Sequence, residues 1–202
     1  MPRYRGRGRS MALAPRAEAA AGRIATAVAG AMALFGGTIL IAIACVTVAS
    51  VTGRAVPGLA PVTGDFELVE AGTAVAVFFF LPWCQLKRGH VSVDILAARL
   101  GRRVQAVLGF LGDAAVAIAA WVIMWRLWLG FGEKFPYGSQ GLRDALGMGY
   151  KPFFAETTYE LQLPVWIPFG LAVIGAGGFA LVALYTVWRS LNWALAGAEG
   201  TP

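Results

Sequence analysis

Polar residues fall in clumps along this chain and leave four long apolar intervals between them. These are residues 24–53, bounded by Arg23 and Arg54; 66–86, ending at Lys87; 104–129; and 166–188, ending at Arg189. About 20 mainly apolar residues cross the hydrocarbon core as a helix. A helix also closes its own backbone hydrogen bonds, as that solvent demands. The pattern therefore predicts an all-α integral membrane protein with four transmembrane helices in residues 24–190, a basic tail over 1–23 and a short tail over 191–202. The first interval is long enough to tilt or to project beyond the core. The second is the least regular, because Glu67 and Glu70 lie in its first turns.

The segments between the intervals carry their own signals. Residues 94–103 predict a short interfacial helix. Asp94 stands at its start and Arg99, Arg102 and Arg103 at its end, complementing the helix dipole, with Ile95, Leu96 and Leu100 as an apolar side. Residues 130–163 form a connection too long to be structureless, and it is rich in Phe, Tyr, Gly and Pro. It is expected to pack on the outer face of the helices or on a partner. Ala25, Ala29, Ala33 and Gly37 place a small residue every four positions, which permits close helix approach in lipid. Trp125, Trp128, Trp166 and Trp188 stand at interval ends, where aromatic belts form.

Composition supports the same class. Hydrophobic residues make up 58% of the chain and charged residues 14%, against roughly 25% charged in a soluble domain. The first interval follows a basic front end, as a secretory signal does. Its charge-free run far exceeds the apolar region of a cleavable signal, so retention is expected. The two cysteines, Cys45 and Cys84, have no partner at metal-ligand spacing and read as small packing residues, with no disulfide between them.

Charge then sets a topology. Arg3, Arg5, Arg7, Arg9, Arg16 and Arg23 precede the first interval; Lys87, Arg88, Arg99, Arg102 and Arg103 follow the second; Arg189 follows the fourth. These fall on one side of a four-span chain. On the other side Arg54, Arg126, Lys134, Arg143 and Lys151 are diluted by acids. Lys and Arg accumulate in segments that stay cytoplasmic, so both termini are expected there. The formal net charge of +6 has the same source. Attraction to anionic lipid explains the arginine-rich tail without nucleic acid.

Few residues offer chemistry. Asp113 lies about nine residues into the third interval, roughly 13 Å along the helix. A charge there is costly and is paired or functional. It reads either as a ligand for a coupling ion or as a hydrogen-bond partner for a neighbouring helix or subunit. The lack of a visible second acid or amide at its depth favours the hydrogen bond. Glu67 and Glu70, one turn apart, mark the outer boundary as a contact face or as headgroup-layer residues. The run Lys87-Arg88-Gly89-His90-Val91-Ser92-Val93-Asp94 holds the only histidine. Arg88, His90 and Asp94 are expected to form a local network, with Asp94 capping the following helix and Gly89 permitting a tight turn. One histidine cannot supply a bis-histidine haem site. No nucleophile–base pair and no phosphate-binding glycine loop occurs, so no cofactor, metal or catalytic site is expected. Four spans without a visible repeat are too few for a complete secondary transporter. An accessory or scaffold subunit of a larger membrane assembly remains, with a membrane anchor of a multi-subunit redox enzyme and a self-assembling bundle as rivals.

These residues carry a resemblance. The Lys87–Asp94 run is similar to the Arg-Gly-x-His-Ile-x-Val-Asp pattern of the small membrane subunit of tripartite ATP-independent periplasmic (TRAP) transporters, the DctQ-like family. Gly64-Asp65-Phe66-Glu67-Leu68-Val69-Glu70 resembles that family's polar lead-in to the second span. Arg54 sits where the family often has arginine, and Leu163-Pro164-Val165-Trp166-Ile167-Pro168 resembles the start of its last span. The resemblance covers about residues 24–190. It implies a bacterial inner-membrane protein that is not an enzyme. Its partners would be a large permease subunit, which moves the substrate on a sodium gradient, and a periplasmic substrate-binding protein. The small subunit would be a stator, with a carboxylate as the substrate class. Arg54, Glu67, Glu70, Arg88, Gly89, His90, Asp94 and Asp113 become the candidate structural and interface residues.

Overall fold

The computed structural model describes residues 14–88 and 101–196. They contain the helices α1 (Pro15–Ala55), α2 (Asp65–Leu86), α3 (Arg102–Lys134), α4 (Gln140–Ala145) and α5 (Trp166–Ala196). All but α4 are long and apolar enough to cross a membrane. Among the described residues the only strand-like feature is one bridge, Thr157 to Pro164. The expected all-α, four-span class is what is seen.

The helices outrun the apolar intervals. α1 begins at Pro15, so the second half of the basic tail is helical and continuous with the first span. Proline is tolerated at the first helical position because no internal donor is lost there. Glu18 in the first turn suits the positive helix end. α3 and α5 likewise extend past the ends that hydropathy gave them, because charged residues continue a helix once its end projects beyond the apolar layer. The interfacial helix expected over 94–103 lies mostly outside the described residues, as do Gly89, His90 and Asp94.

The four long helices do not form a closed bundle. α2 and α5 pack together as a central pair; α1 packs on α2 and touches α5; α3 packs on α5. Burial follows this order. The most apolar stretch of α5 is 39% buried, that of α2 22%, and those of α1 and α3 11% each. One core holds Ala120 of α3 against Phe179, Ala180 and Ala183 of α5, flanked by Leu81 of α2. The other holds Ala29 of α1, Leu86 of α2 and Val182 of α5, flanked by Ala25. The small-residue stripe of α1 thus faces its neighbours at Ala25 and Ala29, while Leu34 and Ile41 are exposed. Exposed apolar side chains cost nothing in lipid, so association there rests on close packing. Cys45 is exposed, Cys84 is half-buried, and both are free thiols.

Chain direction puts the C-terminus of α1, the N-terminus of α2, the C-terminus of α3 and the N-terminus of α5 at one end. Residues 135–165 cover that end, here called the loop end. The opposite end carries Glu18, Gln85, Arg88, Asp113 and Arg189.

Gly175 sets the separation of the central pair. A Cβ at this position would lie 2.8 Å from the carbonyl carbon and the Cβ of Phe78 in α2. Gly177, two residues on, has open space around it. Gly175→Val should lower the unfolding temperature and the folded yield in detergent, through an overpacking cost of about 1–3 kcal/mol. Gly177→Ala should leave both unchanged. Equal tolerance of the two substitutions would contradict the close contact.

Candidate functional site

The buried polar residues gather in two clusters, one at each end of the helices. The cluster opposite the loop end centres on Asp113, whose side chain α3 directs toward α2 and α5. Gln85, on the last turn of α2, donates from Nε2 to Asp113 Oδ1 at 3.2 Å and to Thr186 Oγ1 of α5 at 2.8 Å. Thr186 passes its own hydrogen to the Ala183 carbonyl at 2.8 Å. Arg88 closes the other side of the carboxylate, with Nη2 3.2 Å from Oδ2. Gln85, Asp113 and Thr186 are all buried, and the pairing offsets the desolvation of each polar group.

Around this centre the helix ends are tied together. Arg189 donates from Nη2 to the Leu86 carbonyl, one of the acceptors left open at the end of α2, at 3.3 Å. Trp193 lies near two cations, with the Arg88 and Arg189 guanidinium carbons 4.9 and 5.0 Å from its ring centre. Asn192 of α5 donates to Glu18 of α1 at 2.6 Å.

One sequence expectation changes here, and one contact is new. An amide does share the depth of Asp113: Gln85, one residue before the end of the second apolar interval, bonds to it directly. Arg88 reaches Asp113 in a helix distant in sequence, a contact that local reasoning about His90 and Asp94 did not foresee. Arg88 itself takes the left-handed conformation, with φ 53°, and Gly89, expected to permit the tight turn, lies outside the described residues.

The loop-end cluster explains the acids at the start of α2. Asp65 accepts from Arg54 and from Ser50 Oγ, the latter at 2.6 Å, which ties the end of α1 to the start of α2. Glu67 accepts the backbone N–H groups of Glu160 and Leu161 at 2.7 and 3.0 Å. Those residues form the tip of a small hairpin held by Thr158 N–H to the Leu163 carbonyl and Val165 N–H to the Glu156 carbonyl, both 2.9 Å. Glu160 answers by accepting from the N–H of Gly64 at 2.5 Å. Gly64 has φ 70°, and a Cβ there would lie 2.3 Å from Leu161 Cγ, so this corner requires glycine on both counts. Glu67 and Glu70 therefore part company: Glu67 holds the hairpin, while Glu70 is exposed.

Arg143, on α4, is the residue that sequence reading missed most completely. It is 1% exposed. Its guanidinium donates to the carbonyls of Gly132, Phe135, Tyr137, Met148, Gly149 and Tyr150 at 2.6–3.3 Å. One cation thus gathers a long connection whose carbonyls lack a regular ladder. Trp128 Nε1 to the Leu146 carbonyl at 2.9 Å and Lys134 to Glu156 at 2.6 Å fasten the same segment to α3. The connection packs on the helices' own ends and leaves Tyr150, Phe153, Phe154 and Tyr159 exposed. The available signal was an arginine among Gly132, Gly138, Gly147 and Gly149, where bare backbone approaches a side chain closely.

Among the described residues no three of His, Cys, Asp and Glu stand close enough to hold a metal ion. Both clusters join donors on one element to acceptors on another, which is the chemistry of fixing helices in register.

Two substitutions probe the clusters. Asp113→Ala leaves a buried amide and a half-buried cation without their acceptor and should cost about 3–5 kcal/mol. Asp113→Asn keeps an acceptor for Gln85 and should cost less, so unfolding in detergent should rank wild type, Asn, then Ala. Arg143→Met should open residues 135–165 to limited proteolysis while helical circular dichroism holds. A resistant connection would contradict the organising role of Arg143.

A family model described as tripartite ATP-independent periplasmic transporters, DctQ component, matches residues 43–192. No curated protein and no solved structure matches the chain. The matched stretch runs from the middle of α1 through most of α5. It includes Gln85, Asp113 and Thr186, the whole loop-end cluster and Arg143, and it covers well over half of the sequence. The chain therefore belongs to the DctQ family, the small membrane component of TRAP transporters.

Proposed function

We propose that the protein is the stator of a sodium-driven TRAP transporter for a small organic acid, probed most simply as a carboxylate. It would brace the large permease subunit in the bacterial inner membrane while a periplasmic binding protein delivers the substrate. The observation that carries this reading is the state of Asp113. The ionisable group deepest in the apolar layer is committed to Gln85 and Arg88 of the same chain, so it serves cohesion and not an ion path. The flanking helices support a large partner, since α1 and α3 turn most of their apolar surface outward. Membership of a transporter-component family, not an enzyme family, argues against the redox-anchor reading.

The positive-inside asymmetry supports an orientation with the Asp113 end and both termini in the cytoplasm and the loop end outside. The exposed aromatics Tyr150, Phe153, Phe154 and Tyr159 would then face the periplasmic boundary, where aromatic rings sit well. The role proposed for Arg88, His90 and Asp94 is assembly and not proton transfer.

Deleting the chain should abolish uptake of the carboxylate while the periplasmic protein still binds it. Asp94→Ala should lower the yield of intact complex, with uptake falling in proportion. Normal complex levels with collapsed, newly pH-dependent uptake would overturn the stator role. For topology, a single cysteine at Ser92 should be protected from membrane-impermeant thiol reagents in intact cells, and one at Gly138 should react. Labelling at Ser92 from outside would invert the orientation.

A further inference from the structure

We infer that the groove between the start of α1 and the ends of α2 and α5 is a binding site for the phosphodiester headgroup of an anionic phospholipid. A cavity of about 670 Å³ opens there. Arg23 of α1, Lys87 just past the end of α2 and Arg189 of α5 line it, and Glu18 is the single acid on its wall. Glu18 is already engaged by Asn192. The lining carries a net charge of about two positive units, an excess that favours an anionic over a zwitterionic headgroup.

A further observation points to a ligand. Arg189 is 8% exposed, and its Nε has no hydrogen-bond partner among the described residues. A buried cation with an unused donor is costly, and a phosphate oxygen would relieve that cost through a small shift of the guanidinium. On the wall itself Gly22 meets Tyr185 closely, since a Cβ there would fall 2.6 Å from the Tyr185 hydroxyl.

The depth of the groove separates a lipid from a free phosphate. Arg23, Lys87 and Arg189 stand where the apolar intervals end, at headgroup level. The lining then continues along α1 to Thr26 and Ala27 inside the first apolar interval. A soluble phosphate has no use for that apolar floor, whereas the glycerol and first acyl carbons of a phospholipid do. This inference rests on the membrane-spanning helices and not on the transport role.

Native mass spectrometry of the full-length chain in mild detergent tests it. The probes are phosphatidylglycerol and phosphatidylcholine of matched acyl chains, with inorganic phosphate as competitor. The wild type should retain phosphatidylglycerol in clear preference to phosphatidylcholine. Arg23→Gln combined with Lys87→Gln should weaken phosphatidylglycerol retention about twenty-five-fold, at about a factor of five for each surface cation. Both side chains are exposed, so this variant keeps its fold. Arg126→Gln, which removes one charge outside the groove, should leave retention unchanged. Equal retention of the two lipids, an unaffected double variant, or an equal loss with Arg126→Gln would each overturn the site. Displacement by inorganic phosphate alone would assign it to a soluble anion and overturn the lipid reading.

Discussion

A carboxylate cannot stand alone in hydrocarbon, and Asp113 therefore constrains which helices surround α3. Its side chain must find donors at its own depth, and Gln85 and Arg88 at the end of α2 provide them. Gln85 also donates to Thr186 of α5, so three helices meet through one amide. Lipid supplies little drive for apolar helices to associate, and alanine-rich contacts such as Ala120 against Ala180 and Ala183 leave the depth of each helix weakly set. A buried polar group sets it by making every other register leave a donor or acceptor bare. The order α1–α2–α5–α3 and the level at which α2 ends are consistent with that single requirement.

The loop end solves a related problem with different parts. Long connections carry many backbone groups, and near a membrane these cannot all rely on water. Arg143 takes up carbonyls from six residues, and Glu67 takes up two N–H groups from the hairpin tip. A cation for the carbonyls and an anion for the amides together make a rigid cap from a segment with little regular structure. The two ends then enclose helices whose outer faces stay apolar and open to a partner.

The helices were legible because charge-free length is a strong signal in a membrane chain. Even the short loop that ends before Asp65 marked its own boundaries. Helix ends were less legible: residues 15–23 are helical although they are basic, since hydropathy reports the apolar layer and not where the backbone stops coiling. The family was legible in the motifs at Gly64–Glu70 and Lys87–Asp94. The polar clusters were not, for a physical reason. Gln85, Thr186 and Arg189 are common surface residues, and only the packing of α2 against α5 shows that they are buried. Thr186, Arg189 and Asn192 do recur at helical spacing on α5, a weak sign that this face meets something polar. Arg143 gave no periodic sign at all, because its partners are carbonyls, which every residue has.

The proposed stator requires a chain that moves as one rigid body, its polar groups engaged in its own cohesion. Electron–electron distance measurement within the assembled transporter tests that most directly. One spin label would sit on Cys45 of α1 and one on α5 through Leu181→Cys, both exposed sites, with Cys84→Ser to prevent a third. A stator should give one narrow distance distribution that does not change when sodium and substrate drive the transporter through its states. A second population displaced by about one helical turn, ~5 Å, appearing with sodium or substrate, would show that the chain itself moves and would contradict the account.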